Sequence, residues 1–245
     1  MVNVTSGLDA LNLLNDVESA AHENKFSKLG SGQTRTVKVL NWGDFIGVQT
    51  YSIFKQVNTF VPEVAPKLSA KGFPVDNLTP FDKAWQYWQD KSEKFGDEAS
   101  QEATKYRIKP RFAVGFYDLD EKTCIVIDFS KNQAKDVLGI IQKNEKKLTK
   151  KAFELEKSGT GTSTKVVLSP LDLDDLTPEQ ETAFNEAPKE FDKTLFENLY
   201  FVQNEEQMVE SLKGAGFDVS LIGLEGGTPV TADAETQEDD PTANF

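Results

Sequence analysis

The chain of 245 residues holds one cysteine, Cys124, and one histidine, His22. That scarcity excludes a disulfide network and an intramolecular Cys/His zinc site. It also confines Cys-His and Ser-His-Asp catalysis to His22, which lies in a polar N-terminal stretch. No apolar run approaches the ~20 residues of a membrane span, and the opening MVNVTSGLDALNLLND lacks the basic and apolar blocks of a signal peptide. The expectation is a soluble protein of a reducing, cytoplasmic compartment. The glycine runs LGSGQT and SGTGTST do not supply G-x-x-x-x-G-K-[ST], so neither NTPase activity nor any cofactor is expected.

Positive charge is scarce at both ends. Residues 1–21 carry Asp9, Asp16 and Glu18 with no Lys or Arg, and residues 171–245 carry 19 acids against Lys189, Lys193 and Lys213. The formal net charge of −13 therefore hides a middle section, 22–170, with 24 basic and 18 acidic residues. A basic domain with an acidic tail is implied.

Within 5–20, Leu8, Leu11, Leu14 and Val17 recur at helical spacing behind Thr5 and Ser6. From Thr34 the period becomes two: TRTVKVLNW and then VQTYSIFKQVNTFV read as strands. Four prolines between 62 and 80 mark an irregular insertion, after which PFDKAWQYWQDKSEKF reads as a helix with Phe81, Trp85 and Trp88 on one side. KYRIKPRFAVGFYDLD alternates strictly and reads as a strand. DLDEKT then turns, TCIVIDF returns, and Ser130 caps a helix burying Ala134, Val137, Leu138 and Ile141. FELEK and KVVLSPL make a final hairpin. Strands, a helix, then two more strands predict a mainly β (α+β) domain, a five-stranded barrel of the oligonucleotide-binding (OB) fold with insertions. Past Pro170, the segments beginning TPEQE, KEFDKTLFENLYF and NEEQMVESLKGAGF read as three helices, and 226–245 as a disordered tail.

The alternation in KYRIKPRF sets Lys105, Arg107, Lys109 and Arg111 in one row, at roughly 6.6 Å intervals along a strand. Such a row repels itself unless an extended anion lies along it, although a solvated strand edge also carries lysines. The same face continues through Ala113 and Gly115, small residues with room for a ligand, to Tyr117. The chain holds 17 Phe, 5 Tyr and 3 Trp, many beside Lys or Arg, and stacking on a ring is worth ~1–3 kcal/mol per base whatever the base. Phe60, Phe112, Phe116, Phe129, Phe153, Trp85 and Trp88 fall on apolar faces and read as core. Trp42, Tyr51, Phe54 and Tyr117 are the stacking candidates, with Lys38 and Lys55 joining the basic row as phosphate partners; Tyr106 falls opposite that row. Asp118, Asp120 and Glu121 form a cluster of carboxylates, but in a turn, where Asp serves local hydrogen bonding.

The stretch KYRIKPRFAVGFYDLDEKTCIVIDFSKNQAKDVLGII resembles the central OB-fold strands and helix of bacteriophage single-stranded DNA-binding proteins of the T-even helix-destabilising type. KFSKLGSGQTRTVKVLNW resembles their first strand. The acidic tail with its terminal Phe is similar to those through which such proteins recruit replication, recombination and repair enzymes. The resemblance implies a non-catalytic, sequence-independent binder of single-stranded DNA, with Asp239, Asp240 and Phe245 as the partner-binding end. Two departures stand out. Where the T-even protein holds zinc, this chain has PFDKAWQYWQ, with no Cys or His, and residues 1–21 lack that protein's basic arm.

The expected organisation is an amphipathic helix at 1–21, the OB-fold domain at 22–170, an acidic helical extension at 171–225 and the tail at 226–245. In this reading the tail competes with DNA for the basic surface. Two readings from other classes stay open: a Mg²⁺-dependent nuclease built on Asp118, Asp120 and Glu121, and an acidic DNA mimic that binds a host protein.

Overall fold

A computed structural model describes residues 26–224. The expected helix at 1–21, His22, and the tail at 226–245 with Asp239, Asp240 and Phe245 lie outside them.

Ten strands form among the described residues: β1 (Gln33–Lys38), β2 (Phe45–Ile53), β3 (Val57–Pro62), β4 (Lys67–Leu68), β5 (Pro74–Asp76), β6 (Lys109–Asp118), β7 (Thr123–Ser130), β8 (Ala152–Ser158), β9 (Lys165–Leu171) and β10 (Phe201–Gln203). Strands β4 and β5 make a small hairpin, and the other eight make one sheet in the order β10-β3-β2-β6-β1-β8-β9, with β7 on β6. Strands β2 and β1 share one edge of β6. Phe45 to Thr50 face Val114 to Lys109, while Val37 and Lys38 face Asp118 and Tyr117. The intervening loop closes the gap, because the Gly115 amide donates to the Asp44 carbonyl at 2.8 Å. Strand β7 runs along the other edge of β6, from Arg111↔Ser130 to Asp118↔Thr123. All pairs are antiparallel except β10 with β3, which sets Phe201 beside Phe60.

Five α-helices among the described residues complete a mixed α+β architecture: α1 (Pro80–Lys91), α2 (Glu98–Tyr106), α3 (Lys131–Lys143), α4 (Pro178–Glu186) and α5 (Glu205–Gly214). Helix α3 begins at a capping box of Ser130 and Gln133, and buries Ala134, Val137 and Ile141, as its spacing predicts. Those side chains join Val37, Val114, Phe116, Ile125, Ile127, Phe129, Phe153 and Leu168 in the core on one face of the sheet. The expected barrel is not closed: among the described residues no pairing joins β7 to β9. Residues 26–29 enter that seam, where the Ser27 amide donates to the Val126 carbonyl at 2.8 Å and Leu29 is buried.

The opposite face carries a second core, in which Ala113 and Val126 pack against Phe191, Leu199 and Tyr200. Tyr117 and Leu119 lie next to it under Ala183 and Phe184 of α4. A further core joins Tyr51, Phe60, Phe81, Ala84 and Tyr106 to Met208 and Leu212 of α5. The extension at 171–225 thus supplies side chains to three of the four cores. Its segment KEFDKTLFENLYF is not the helix its spacing predicts. A single 3-10 turn, Lys193–Phe196, and then β10 let Phe191, Leu199 and Tyr200 lie along a flat sheet face, which a helix would not. No helix among the described residues is long and apolar enough to cross a membrane.

Candidate nucleic-acid interface

The basic row does not form. Asp97 caps α2 by accepting from the Ser100 amide, and the helix runs through Lys105 and Tyr106 before Pro110 forces extended backbone. Amide donors from Ser100 and Lys94 hold the Asp97 carboxyl down to about 2. Lys105 therefore sits on a helix, ion-paired with Glu102 one turn earlier, and not on a strand. Arg107 is the residue that leaves the helix, and only Lys109 and Arg111 alternate along β6.

Several of the other predicted residues are engaged within the fold. The Arg111 guanidinium forks onto Asp128 of β7, its Nε at 3.0 and 3.1 Å from the two carboxylate oxygens. Tyr200 Oη donates to the same carboxylate at 3.0 Å. Lys38 Nζ donates to the Phe184 carbonyl at 2.7 Å and lies 4.1 Å from the centre of that ring, and burial pulls its pKa below the usual lysine range. Tyr51 is a core residue: its hydroxyl donates to Asp82 Oδ1 at 2.8 Å, and burial holds its pKa far above the ordinary phenol. Tyr117 is buried under α4. Neither tyrosine presents a face for stacking, because strand parity cannot show what packs onto a strand from outside the hairpin. The gap beside Ala113 and Gly115 is also filled. A Cβ on Gly115 would lie 2.6 Å from the Phe191 ring, so the small residue seats a side chain of the same molecule.

The turn after β6 behaves as its composition predicts. Asp118 Oδ1 accepts from the amides of Asp120 and Glu121, each at 2.9 Å, and Arg35 spans Asp118 and Glu121.

Five predicted residues remain exposed with no carboxylate partner among the described residues: Trp42, Phe54, Lys55, Arg107 and Lys109. Phe54, 87% exposed, and Lys55 form the tip between β2 and β3. Lys55 has φ of 63°, a left-handed value that a tight turn imposes. Thr50 faces Lys109 and β2 continues to Ile53, so this tip and the entry to β6 lie at the same end of the sheet. Trp42, 49% exposed, lies beyond the opposite end of β2, whose nine residues span ~30 Å.

The sequence reading missed what supports Arg107. The β4–β5 turn inserts Phe73 between Trp85 and the Arg107 guanidinium, with Phe73 and Trp85 stacked at 5.6 Å and 14° and the guanidinium 5.0 Å above the Phe73 ring. Trp85 is only half-buried, and the GFP turn that delivers Phe73 was the available signal. Packing around its stem and the nearby Arg107 charge hold the Lys109 ammonium below the usual lysine range. Two cations thus stand close together, neither ion-paired among the described residues, beside a layered stack and at the same end of the sheet as an exposed phenylalanine. Compared with known proteins, the chain matches no protein-family model and no curated protein.

Proposed function

We propose that this protein binds single-stranded DNA, without catalysis and without reading sequence, at the end of the sheet where Arg107 and Lys109 meet the β2–β3 tip. The observation that carries the proposal is the Arg107–Lys109 pair. Two adjacent cations with no carboxylate partner among the described residues repel each other, and a phosphodiester relieves that repulsion. The guanidinium above Phe73 and Trp85 offers a planar face for a base, and Phe54 and Trp42 add rings at either end of β2. The strand order supports reading the sheet as an OB-type one. Strand β1 with β2, then β6 and β7, the helix α3, then β8 and β9 follow that fold's order, with β3 to α2 as an insertion. In this reading the protein serves phage-type DNA replication, recombination and repair, and the acidic end with Asp239, Asp240 and Phe245 recruits the enzymes involved. Asp118 and Glu121, on which the nuclease alternative rests, are engaged by Arg35 and turn amides, which favours the binding reading.

The test is quenching of tryptophan fluorescence by oligo-dT across a salt series. With a coefficient of ~0.7 per phosphate on single strands, replacing both Arg107 and Lys109 by Ala should flatten the slope of log affinity against log salt by about 1.4. The melting temperature should barely move, because neither side chain holds an internal carboxylate. Absence of oligo-dT binding at low salt, or an unchanged slope in the double variant, overturns the assignment.

A further inference from the structure

We infer that the outer face of β2, β6 and β7 is a second, latent binding surface for single-stranded DNA, and that residues 187–200 occupy it in place of the ligand. This rests on the single-stranded DNA reading above.

Three observations point the same way. First, the face is apolar and small at its centre: Ile46, Val48, Ala113, Gly115 and Val126 form a shallow platform that is unusual for the outside of a sheet. Phe191 fills the notch at Gly115, and Phe196 packs on Phe191 with ring centres 5.0 Å apart. Rings laid on an open sheet face are how a base would sit there.

Second, the contacts of this segment and its flanks include two of the cations on that side, Arg111 and Lys38. Asp128, which holds Arg111, also accepts from Tyr200, and the carbonyl that holds Lys38 belongs to Phe184 just upstream. The segment from 186 to 197 carries Glu186, Glu190, Asp192 and Glu197 against Lys189 and Lys193. It offers aromatic rings and negative charge, the two features of the proposed ligand.

Third, the attachment is of a kind that can be exchanged. Between α4 and β10 the segment makes no strand pairing, and its internal backbone bonds are the single-turn ones of Leu195 to Asp192 and Glu197 to Thr194. Beneath it lies a buried defect, because Asp44 Oδ2 has no hydrogen-bond partner among the described residues. The charged groups facing Asp44 are Lys193 and Glu190, both from the segment itself.

The segment therefore acts as a clasp that DNA displaces. If it is open for about a tenth of the time, removing its main anchor should tighten binding about tenfold. The experiment uses the full chain. Amide hydrogen exchange of 187–200 is measured with and without saturating oligo-dT, and Phe191→Ala is titrated with oligo-dT beside the wild type, with a thermal melt to confirm that the variant folds. Faster exchange in 187–200 on binding, or tighter binding by Phe191→Ala, supports the clasp. So does oligo-dT binding by Phe191→Ala alone. If the wild type binds while exchange in 187–200 is unchanged and Phe191→Ala binds no tighter, the inference falls and the proposed function stands. If neither protein binds, both fall.

Discussion

Arg107 and Arg111 lie four positions apart and share one parity in the sequence, yet their partners differ. Arg107 rests on the Phe73 ring with its charge unspent, whereas Arg111 is fixed by Asp128 and through it to Tyr200. Replacing Arg111 by Ala leaves a half-buried carboxylate with only a phenol donor, so a loss of about 1–3 kcal/mol in urea unfolding is expected. Arg107→Ala should leave the unfolding midpoint nearly unchanged and weaken DNA binding instead. Asp44 offers the opposite case. Burial raises its pKa, opposed by the Asn41 amide and the Lys193 charge, while Glu190 adds to the rise. Its contribution to stability is present below the ordinary carboxylate range and is lost as pH rises through the shifted value. Asp44→Asn should therefore stabilise the fold by about 1 kcal/mol at pH 7 and by less at pH 4, read from urea unfolding at both pH values. At this scale residue type was legible and partnership was not. Alternation identified Lys109 and Arg111 as strand neighbours on one face, but Asp128 and Tyr200 come from elements 17 and 72 residues away from their partners.

Helix α1 shows what holds an element in place. Thr79 and Asp82 make its capping box, and the same Asp82 accepts from Tyr51 of β2, so one buried carboxylate ties the helix start to the sheet. Burial raises the Asp82 pKa despite the donors around it. Tyr51→Phe removes one donor and should cost about 1–2 kcal/mol at neutral pH. The charged carboxylate is the form left short of a partner, so the loss should shrink towards pH 4; paired melts of variant and wild type at the two pH values check this. Elements with local signals were readable: the helix starts at Ser130 and Thr177, the turn at Asp118, and the β8–β9 hairpin all stand where the sequence placed them. Two were misread for identifiable reasons. At 105–108, alternation of Lys and Arg with apolar residues predicts a strand, whereas the Asp97 cap and the Glu, Ala and Gln of 98–103 carry a helix through Lys105 and Tyr106. In 189–201, helical spacing of Phe191, Leu195 and Leu199 met a flat apolar sheet, and an irregular path let them reach it.

Across the whole molecule, composition sets a basic middle section against an acidic end. Of the acidic excess at 171–245, the part up to 224 is packed against the sheet. Deleting 226–245 removes Asp233, Glu235, Glu238, Asp239 and Asp240, and should tighten oligo-dT binding at low salt with the difference fading at high salt. Fluorescence titrations of the two chains at matched ionic strength decide it, and equal affinity would show that this end does not compete for the site.

The parallel pairing of β10 with β3 also bears on how the chain is made. Residues 57–62 leave the ribosome long before 201–203, so the edge of β3 lacks its neighbour for most of synthesis, and an unpaired edge is an aggregation hazard. Any nascent chain stalled before Phe201 would carry that edge open together with the core surface awaiting Met208 and Leu212. Completion of the sheet is therefore a late event, and shortened products should need chaperones where the finished polypeptide does not.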